Sequence, residues 1–273
     1  MGTPLLAIHN LTVTFETENK SFTAVKEVSL VVNRGEIRAL VGESGSGKSV
    51  TSMSILQLIP SPPATFKNGS ILFYDTSGTA IDLLQTNASE IEAIRGSKIA
   101  MIFQEPMTAL NPVLTCGKQI IETIMLHQHL SKEAATIEAI TLFKSVQLND
   151  PEKVIDKYPH ELSGGQKQRV MIAIAMSGKP DLLICDEPTT ALDVQVQKSI
   201  LELLKQLQQE PTLKAVSPLV SGAAFAIRGQ ADKTVSILGI DPVAYTKIIP
   251  LEENLKAGQL RLNNDEAVIG RRL

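Results

Sequence analysis

The segment GESGSGKS at residues 42–49 constrains this chain more than any other feature of its sequence. It fits the phosphate-binding pattern G-x-x-x-x-G-K-[ST] at every fixed position. An apolar run at 37–41 precedes it, and helix-compatible residues follow at 48–59. The glycines let the backbone curl so that N–H groups point at phosphate oxygens, and the helix adds its positive dipole end. The sequence therefore predicts a strand–loop–helix unit that binds a nucleotide.

Each residue of this phosphate loop has an expected role. Lys48 supplies a point charge to the β and γ phosphates, and the Ser49 hydroxyl is suited to ligate Mg²⁺. ATP and Mg²⁺ are therefore the cofactors that we predict. A flexible Gly-Ser turn is the alternative, and the flanking strand and helix argue against it. The residues expected to hold the nucleotide are Gly42, Glu43, Ser44, Gly45, Ser46, Gly47, Lys48, Ser49 and Val50.

An acidic pair follows a wholly apolar segment in LLICDEP, residues 182–188. The apolar run predicts a buried strand over 182–185, and side chains at the carboxyl edge of a parallel sheet face the ligand crevice. Asp186 is suited to hold Mg²⁺ through water, and Glu187 to polarise an attacking water as general base. Without the phosphate loop, two solvated carboxylates at a strand end would be an equally good interpretation.

A second anion site is predicted at LSGGQKQR, residues 162–169. Ser163 is expected to cap a helix, and Gly164 and Gly165 expose backbone N–H groups at its start. Gln166 is the fourth residue assigned to this site. Two phosphate sites in one domain suggest a head-to-tail dimer in which each subunit completes the other's ATP site. A helix cap without any partner is the alternative.

These motifs together resemble the ABC ATPase family. In that family LSGGQ contacts the γ-phosphate held by the partner's phosphate loop, so the resemblance implies a second ATPase subunit, identical or different. Gln104 resembles the glutamine that touches Mg²⁺ and senses the membrane subunit, and with Glu187 it forms the implied catalytic set. Asp193 resembles the aspartate at the dimer seam. Phe15 aligns with the aromatic residue that stacks on adenine, and Phe22 is a less favoured candidate.

One branch of the family is closer still. FQEPMTALNPVLTCGKQI, YPHELSGGQKQRVMIAIAM and DEPTTALDVQVQ are similar to the dipeptide, oligopeptide and nickel importer ATPases, over residues 5–209. This resemblance implies peptide-type substrates, which other subunits handle, and integral-membrane permease partners. It also implies a location in the cytoplasm, peripheral at the inner face of the cell membrane.

The order of predicted elements agrees with this family. Strands separated by helices indicate an α/β fold with a mostly parallel core sheet. The expected fold is a P-loop NTPase of the ABC ATPase class, with an N-terminal antiparallel β region and a helical subdomain at about 105–178. We assign residues 1–209 to the ATP-binding domain and 210–273 to a β-rich segment. Within the first domain, 60–69 is predicted to be a loop.

The resemblance stops after residue 209. The family carries a switch histidine after its next strand, but no histidine follows His160, and that position would fall near 218–221. The segments AVSPLVSGAAFAIRGQADKTVSILGIDP, LKAGQL and AVIGRRL instead resemble part of the periplasmic domain of lipoprotein-releasing permeases, which suggests a chimera. The alternative is a diverged ATPase tail in which 213–216 fills the central strand position, limited by Pro218.

The composition excludes several classes of protein. Lys, Arg, Asp and Glu are spread along the chain at a net charge of -3, so no nucleic-acid surface is expected. The two cysteines are isolated and the four histidines form no ligand cluster in the sequence. The longest apolar stretches are far shorter than the ~20 residues of a membrane span. The N-terminus does not resemble a signal peptide.

Three functions remain open from the sequence. The first is the ATPase engine of a peptide-type importer. The second is a module that binds ATP but hydrolyses it poorly, because the switch histidine is missing. The third is an extracytoplasmic, permease-derived interaction fragment that carries the ATPase as a passenger.

Overall fold

The computed structural model describes residues 3–17, 20–38, 40, 42–43, 45–103, 109–186, 200 and 203. It describes the backbone alone for residues 37, 215–217, 222–228 and 231–237. The chain divides into two compact units, Met1–Leu219 and Val220–Leu273.

An antiparallel sheet forms the N-terminal part of the first unit. Its strand order is β2-β1-β4-β5, and every pairing in it is antiparallel. The predicted N-terminal antiparallel region is therefore confirmed. The strands are β1 (Pro4–Thr17), β2 (Lys20–Asn33), β4 (Ala64–Tyr74) and β5 (Ala80–Asp82).

Strand β4 begins earlier than the sequence predicts. The expectation of a loop at 60–69 is wrong from Ala64 onward, because Ala64 pairs with Phe15 and Phe66 pairs with Val13 of β1. The polar and glycine residues near Gly69 suggest a turn when only neighbours in the sequence are considered. Pairing with a long strand 50 or so residues away overrides that local preference.

A parallel sheet forms the core of the first unit, with strand order β3-β8-β7-β6. Parallel strands joined through helices are buried on both faces, and the burial of β7 is complete from end to end. The predicted strand over Leu182–Cys185 is confirmed with the same bounds. The strands are β3 (Glu36–Ile37), β6 (Ile99–Ile102), β7 (Leu182–Cys185) and β8 (Ala215–Ser217).

Alternate side chains of β6 and β7 enter two different cores. Leu183 and Cys185 face a cluster made mostly by helices, whereas Leu182 and Ile184 face the cluster beneath the antiparallel sheet. Cys185 is 3% exposed, which confirms its predicted core position. Burial raises the pKa of its thiol to about 12, so the side chain stays protonated and apolar.

Six α-helices lie among the described residues. Helix α1 follows the phosphate loop and ends at Ile55, four residues earlier than predicted. Helix α2 was not predicted, although Asn87 and Glu90 form a reciprocal capping box at its start. The helices are α1 (Lys48–Ile55), α2 (Ala88–Ile94), α3 (Cys116–Gln128), α4 (Lys132–Ser145), α5 (Pro151–Val154) and α6 (Gly164–Ser177).

Helices α3 to α6 form a helical lobe within the range predicted for the helical subdomain. The predicted cap at Ser163 is confirmed, since its side chain accepts from the Gln166 N–H, and the Ser131 side chain caps α4 in the same way by accepting from the Ala134 N–H. The lobe packs around Phe143, which is fully buried. No helix in the described part of the chain is long and apolar enough to cross a membrane.

Strand β8 fills the central position of the core sheet. Val216 pairs in parallel with Ile37 of β3 and with Leu183 of β7, so β8 lies between the strand before the phosphate loop and the strand before Asp186. The sequence placed the candidate for this slot at 213–216. The structure places a strand at Ala215–Ser217 and so supplies the shared neighbour that the two core strands need.

The second unit contains an antiparallel pair of strands. Strand β9 (Gly222–Arg228) pairs with β10 (Ala231–Ile237), with Thr234 opposite Phe225. These two strands form a sheet of their own. A filled slot is what the diverged-tail alternative predicts, and a separate β unit is what the added-segment alternative predicts.

The C-terminal end of α3 packs against the turn before β6. A Cβ atom added to Gly96, whose φ is +76°, would lie 2.6 Å from His127 Nε2. The next residue, Gln128, donates from Nε2 to the carbonyl of Ser177, the last residue of α6, at 2.7 Å. Burial and, secondarily, the neighbouring His129 lower the pKa of His127 below its ordinary 6.5. The neutral imidazole is therefore the form that the folded protein favours.

We expect acid to weaken this packing through His127. Between its lowered folded pKa and 6.5, the unfolded chain binds the proton and the folded chain does not, so the free energy of unfolding falls as the pH drops below 6.5. Melting temperatures measured from pH 7.5 to pH 5 should decline less steeply for His127→Gln than for the wild type. The control Ile137→Ala, an exposed side chain that carries no titratable group, should keep the wild-type slope. Equal slopes in all three proteins would contradict the assignment.

Candidate nucleotide-binding site

The start of helix α1 is open to an anion. Gly47 is the N-cap residue with φ +90°, no side chain caps this end, and the first turn carries no acidic residue. The N–H groups at a helix start need acceptors from outside the helix, and a phosphate supplies them. The helix predicted after the phosphate loop is thus confirmed, and no side chain caps the N–H groups of its first turn.

The glycines of the loop occupy positions that exclude a side chain. Gly45 and Gly47 have φ of +78° and +90°, a region that favours glycine. A Cβ atom on Gly47 would lie 3.2 Å from Val25 Cγ2 and closer still to the Ala24 carbonyl oxygen. A Cβ atom on Gly42 would lie 2.6 Å from Ser46 Oγ. The φ values of Gly45 and Gly47, and the close backbone contact at Gly47, therefore favour glycine at these two positions.

The Lys48 side chain folds back over this loop. It is buried, at 9% exposed, and its ammonium donates to the Gly42 carbonyl at 2.7 Å and the Glu43 carbonyl at 2.9 Å. Both partners are neutral oxygens, and no ion pair of Lys48 occurs among the residues that the structure describes. The described residues therefore give this buried positive charge no counter-ion, and a bound phosphate would provide one.

Two predicted Mg²⁺ ligands meet although 137 residues separate them in the chain. The Ser49 hydroxyl donates to Asp186 Oδ1 at 3.0 Å. Asp186 follows β7, is 6% exposed, and its N–H donates to the Ile102 carbonyl at 2.9 Å. A hydroxyl and a carboxylate are oxygen ligands of the kind that Mg²⁺ prefers, and Mg²⁺ usually keeps waters and substrate phosphates as its other ligands. The residues present therefore fit the ion.

The LSGGQ motif lies at the start of α6. The Ser163 hydroxyl accepts from the Gln166 N–H at 3.3 Å, and Gln166 Oε1 accepts from the Ser163 N–H at 3.0 Å. This capping box fixes the first turn, while Gly164 remains exposed and Gly165 half-buried. The motif thus presents a second helix start, in the helical lobe, toward solvent.

Two aromatic rings stack near the phosphate loop. Phe15 on β1 and Phe22 on β2 are direct cross-strand partners, with ring centroids 5.3 Å apart and an interplanar angle of 11°. Phe22 is 57% exposed, and Phe15 is half-buried against the core. As the candidate for stacking on a base, the sequence favoured Phe15 over Phe22. The two residues face each other because they belong to one hairpin, in which Thr17 pairs with Lys20. That register is the signal from which their contact can be inferred.

Some of the predicted site residues lie in the described part of the chain, and others lie outside it. Glu43 is exposed and takes part through its carbonyl, and Val50 packs partly against the core with its backbone in the first turn of α1. In the described part of the chain, no group of three or more His, Cys, Asp and Glu side chains could hold a metal. The predicted residues that lie outside the described part are Ser44, Gln104, Glu187 and Asp193.

A family model described as ABC transporter matches residues 25–190, which is more than half of the chain. This range contains the phosphate loop, the LSGGQ motif and Asp186. The chain belongs to the ABC transporter family. The match ends before β8, so the strand that fills the centre of the sheet lies outside the matched range.

Members of the ABC transporter family with curated names are similar over about three quarters of this chain. The oligopeptide transport ATP-binding protein OppD of Bacillus subtilis is 49% identical over 208 residues, covering 76% of this chain and 57% of OppD. The ABC transporter ATP-binding protein YejF of Escherichia coli is 50% identical over 77% of this chain and 39% of its own length. The glutathione import protein GsiA of Escherichia coli is 45% identical over 78% of this chain and 34% of its own. The chain thus spans about a third to 57% of these relatives.

Solved ABC cassettes share the fold. The ATP-binding cassette MJ0796, in a dimeric post-hydrolysis state with ADP and Pi, superposes with a TM-score of 0.68 at 29% identity, covering 79% of this chain and 88% of MJ0796. CbiO1 from Clostridium perfringens, part of the ABC transporter complex cbiONQ, gives a TM-score of 0.63 at 26% identity, covering 80% of this chain and 78% of cbiO1. The predicted α/β P-loop NTPase fold of the ABC ATPase class is confirmed.

Proposed function

We propose that this chain is the ATP-binding subunit of a peptide-type ABC importer, with a hydrolysis step that is impaired. The observation that carries the proposal is the convergence of Lys48, Ser49 and Asp186 at the open start of α1. A buried cation, uncapped helix N–H groups and two oxygen ligands for Mg²⁺ are the combination that a nucleoside triphosphate requires. ATP and Mg²⁺ are the proposed cofactors.

The proposed site residues have two roles. Most of them hold the nucleotide phosphates and Mg²⁺, and one activates the attacking water. The loop N–H groups and Lys48 would hold the β and γ phosphates, and Ser49 and Asp186 would hold Mg²⁺, with Gln104 as a further ligand. Mg²⁺ would neutralise charge on the phosphate oxygens. Glu187, directly after Asp186, would act as general base toward the attacking water. These roles combine described geometry with the sequence motifs at 104 and 187.

Membership of the ABC transporter family supports two kinds of protein partner, a second ATPase subunit and permease subunits in the membrane. We propose a head-to-tail dimer in which Ser163, Gly164, Gly165 and Gln166 reach the nucleotide of a second ATPase subunit and Asp193 lies at the seam. The names of OppD and GsiA support an oligopeptide or a small peptide such as glutathione as the cargo. Integral-membrane permease subunits are the further partners that we propose. Such an assembly places this chain on the cytoplasmic face of the cell membrane.

Impaired hydrolysis is proposed from the residues after β8. In the ABC family the switch histidine follows this strand, but the residues after Ser217 read PLVS, and no histidine occurs beyond His160. Loss of one contact to the transition state typically lowers the rate about 10²–10³-fold. A subunit that binds ATP and turns it over slowly is the result that we expect.

Residues 220–273 are proposed to be an added module rather than part of the cassette. They form their own compact unit with the β9–β10 pair, and their sequence resembles a fragment of a permease periplasmic domain. The slot in the core sheet is already filled by β8, which belongs to the first unit. The chimera therefore has its proposed junction after Leu219 instead of after residue 209.

Steady-state phosphate release tests the proposed function. The chain should bind Mg-ATP in equilibrium titrations, yet release phosphate about 10²–10³-fold more slowly than purified OppD of Bacillus subtilis under the same conditions. A Glu187→Gln variant supplies the background rate and should still bind ATP. Turnover as fast as that of OppD and lost in Glu187→Gln would contradict impaired hydrolysis. Absence of ATP binding by the wild type would contradict the whole proposal.

A further inference from the structure

A polar cleft of about 680 Å³ opens on the antiparallel sheet. Cavities of this size hold small-molecule ligands. The cleft crosses β2, β1 and β4, which are adjacent strands of that sheet, and it shares no residue with the candidate nucleotide site. The residues that line it are His9, Asn10, Glu27, Asn68, Gly69 and Ser70.

The cleft lies where all three strands leave the regular strand conformation. Asn10 of β1, Glu27 of β2 and Gly69 of β4 have φ of +47°, +51° and +104°. The pairing of β1 with each neighbour also shifts its register around Asn10. Bulges of this kind re-aim side chains out of the regular alternation. They explain why His9 and Asn10, although consecutive, are both exposed.

Hydrogen bonds fix the backbone of the cleft. The Asn10 N–H donates to Ser29 Oγ at 2.8 Å, and the Ser29 hydroxyl donates to Asn10 Oδ1 at 3.1 Å. The Glu27 N–H donates to Thr12 Oγ1 at 3.1 Å. Leu11, directly after Asn10, is fully buried in the core. The cleft is therefore shaped before a ligand arrives, which lowers the cost of ordering on binding.

Three side chains of the cleft make no polar contact with any part of the chain that the structure describes. The exposed Glu27 carboxylate forms no ion pair there, and the imidazole of His9 and the carboxamide of Asn68 form no hydrogen bond there. A carboxylate only accepts, whereas an imidazole and a carboxamide each donate as well. The cleft thus offers a negative charge on β2 and neutral donors on β1 and β4.

The strand spacing sets the length of a ligand that reaches both sides. Glu27 lies on β2, and Asn68 and Ser70 lie on β4, with β1 between them. Two strand spacings are roughly 10 Å. An extended chain covers about 3.3–3.6 Å per residue, so a tripeptide covers this distance and a single amino acid does not.

We propose that this cleft binds a short free peptide of two or three residues as a zwitterion. The terminal ammonium group pairs with the Glu27 carboxylate, and the terminal carboxylate accepts from the Asn68 carboxamide and the Ser70 hydroxyl. His9 and Asn10, in the middle, bind the peptide groups. The site goes beyond the proposed function, because none of these contacts requires ATP or a second subunit.

Isothermal titration with triglycine at pH 7 tests this site on the full chain without nucleotide, so the result is independent of the phosphate site. The probe carries both terminal charges at this pH. We expect a Kd of about 1 mM for the wild type and binding about five- to tenfold weaker for Glu27→Gln, which removes the charge and keeps the size of the side chain. The control Glu92→Gln, at an exposed position on α2, should bind like the wild type.

Two altered probes test the two ends of the ligand. N-acetyl-triglycine lacks the ammonium group and glycine is too short to reach across, so both should bind the wild type at least fivefold more weakly than triglycine does. Because Glu27 is exposed, Glu27→Gln should keep the wild-type melting temperature, which separates a loss of binding from unfolding. The proposal is overturned if the wild type shows no binding of triglycine up to about 20 mM. Equal affinity of Glu27→Gln and the wild type, or equal affinity for the acetylated probe, would overturn it as well.

Discussion

Lys48→Ala is expected to weaken Mg-ATP binding about a hundredfold or more, because it removes the one buried cation at the described part of the phosphate loop. In the wild type the ammonium is held 2.7 Å and 2.9 Å from the Gly42 and Glu43 carbonyl oxygens. The charge is thus fixed before the ligand arrives, and little ordering is needed on binding. Isothermal titration with Mg-ATP measures the change directly.

Two further variants distinguish loss of the positive charge from damage to the loop as the cause of weaker ATP binding. Lys48→Gln retains an N–H donor for the loop carbonyls but carries no charge, so it should bind ATP nearly as poorly as Lys48→Ala. Lys67→Ala removes an exposed lysine that pairs with Glu16 at 2.8 Å, and should bind like the wild type. ATP binding unaltered by either Lys48 change would remove the basis for the phosphate-loop assignment.

Val216→Pro is expected to lower the free energy of unfolding of the first unit by about 2–4 kcal/mol. Val216 lies in the middle of β8 with parallel partners on both sides, Ile37 and Leu183. Proline cannot donate to a ladder, and a central strand has no solvent-facing side to accommodate it. For a unit of this size the melting temperature should fall by about 5–15 °C.

The second unit provides a matched control for this proline. Val235→Pro alters β10, which pairs with Ala224 of β9 in a sheet separate from the core. The ATP affinity and the main melting transition should remain those of the wild type. If Val216→Pro melts at the wild-type temperature, β8 does not hold the central position, and the cassette would depend on some other residue range to complete its sheet.

Elements governed by local chemistry were predictable from the sequence. The strand Leu182–Cys185 is wholly apolar and short, and the helix Gly164–Ser177 begins at a serine that caps it and ends before a glycine. The strand has the predicted bounds, and the helix begins directly after the predicted cap, Ser163. Capping, burial and hydrophobic runs act over a few residues, and a single sequence displays them fully.

Elements that depend on distant partners were not predictable in the same way. Ala64 to Phe66 join β4 because β1 is beside them, and Ala215–Ser217 becomes a central strand because β3 and β7 leave a slot of one strand's width. Neither segment has a strong local strand pattern. Their conformation is decided by hydrogen-bond partners that a linear pattern does not reveal.

The phosphate site was predictable in composition but not in its arrangement. The phosphate-loop motif identified Lys48 and Ser49, and the apolar strand that precedes Asp186 indicated that residue. The 3.0 Å hydrogen bond between Ser49 and Asp186, however, forms only when the core sheet is packed. The stacking of Phe22 on Phe15 similarly depends on hairpin register, which shifts at several points along β1 and β2. A register shift of one residue would place one of the two rings on the opposite face.

The position of β8 also determines when the core sheet can close during synthesis. Its neighbours β3 and β7 are made earlier, and 29 residues separate the end of β7 at Cys185 from Ala215. Until β8 emerges from the ribosome, both neighbours carry an unpaired edge of the kind that promotes aggregation. The nascent cassette therefore passes through a stage in which the described core sheet is split, and β8, the last of its four described strands to be made, joins the two parts.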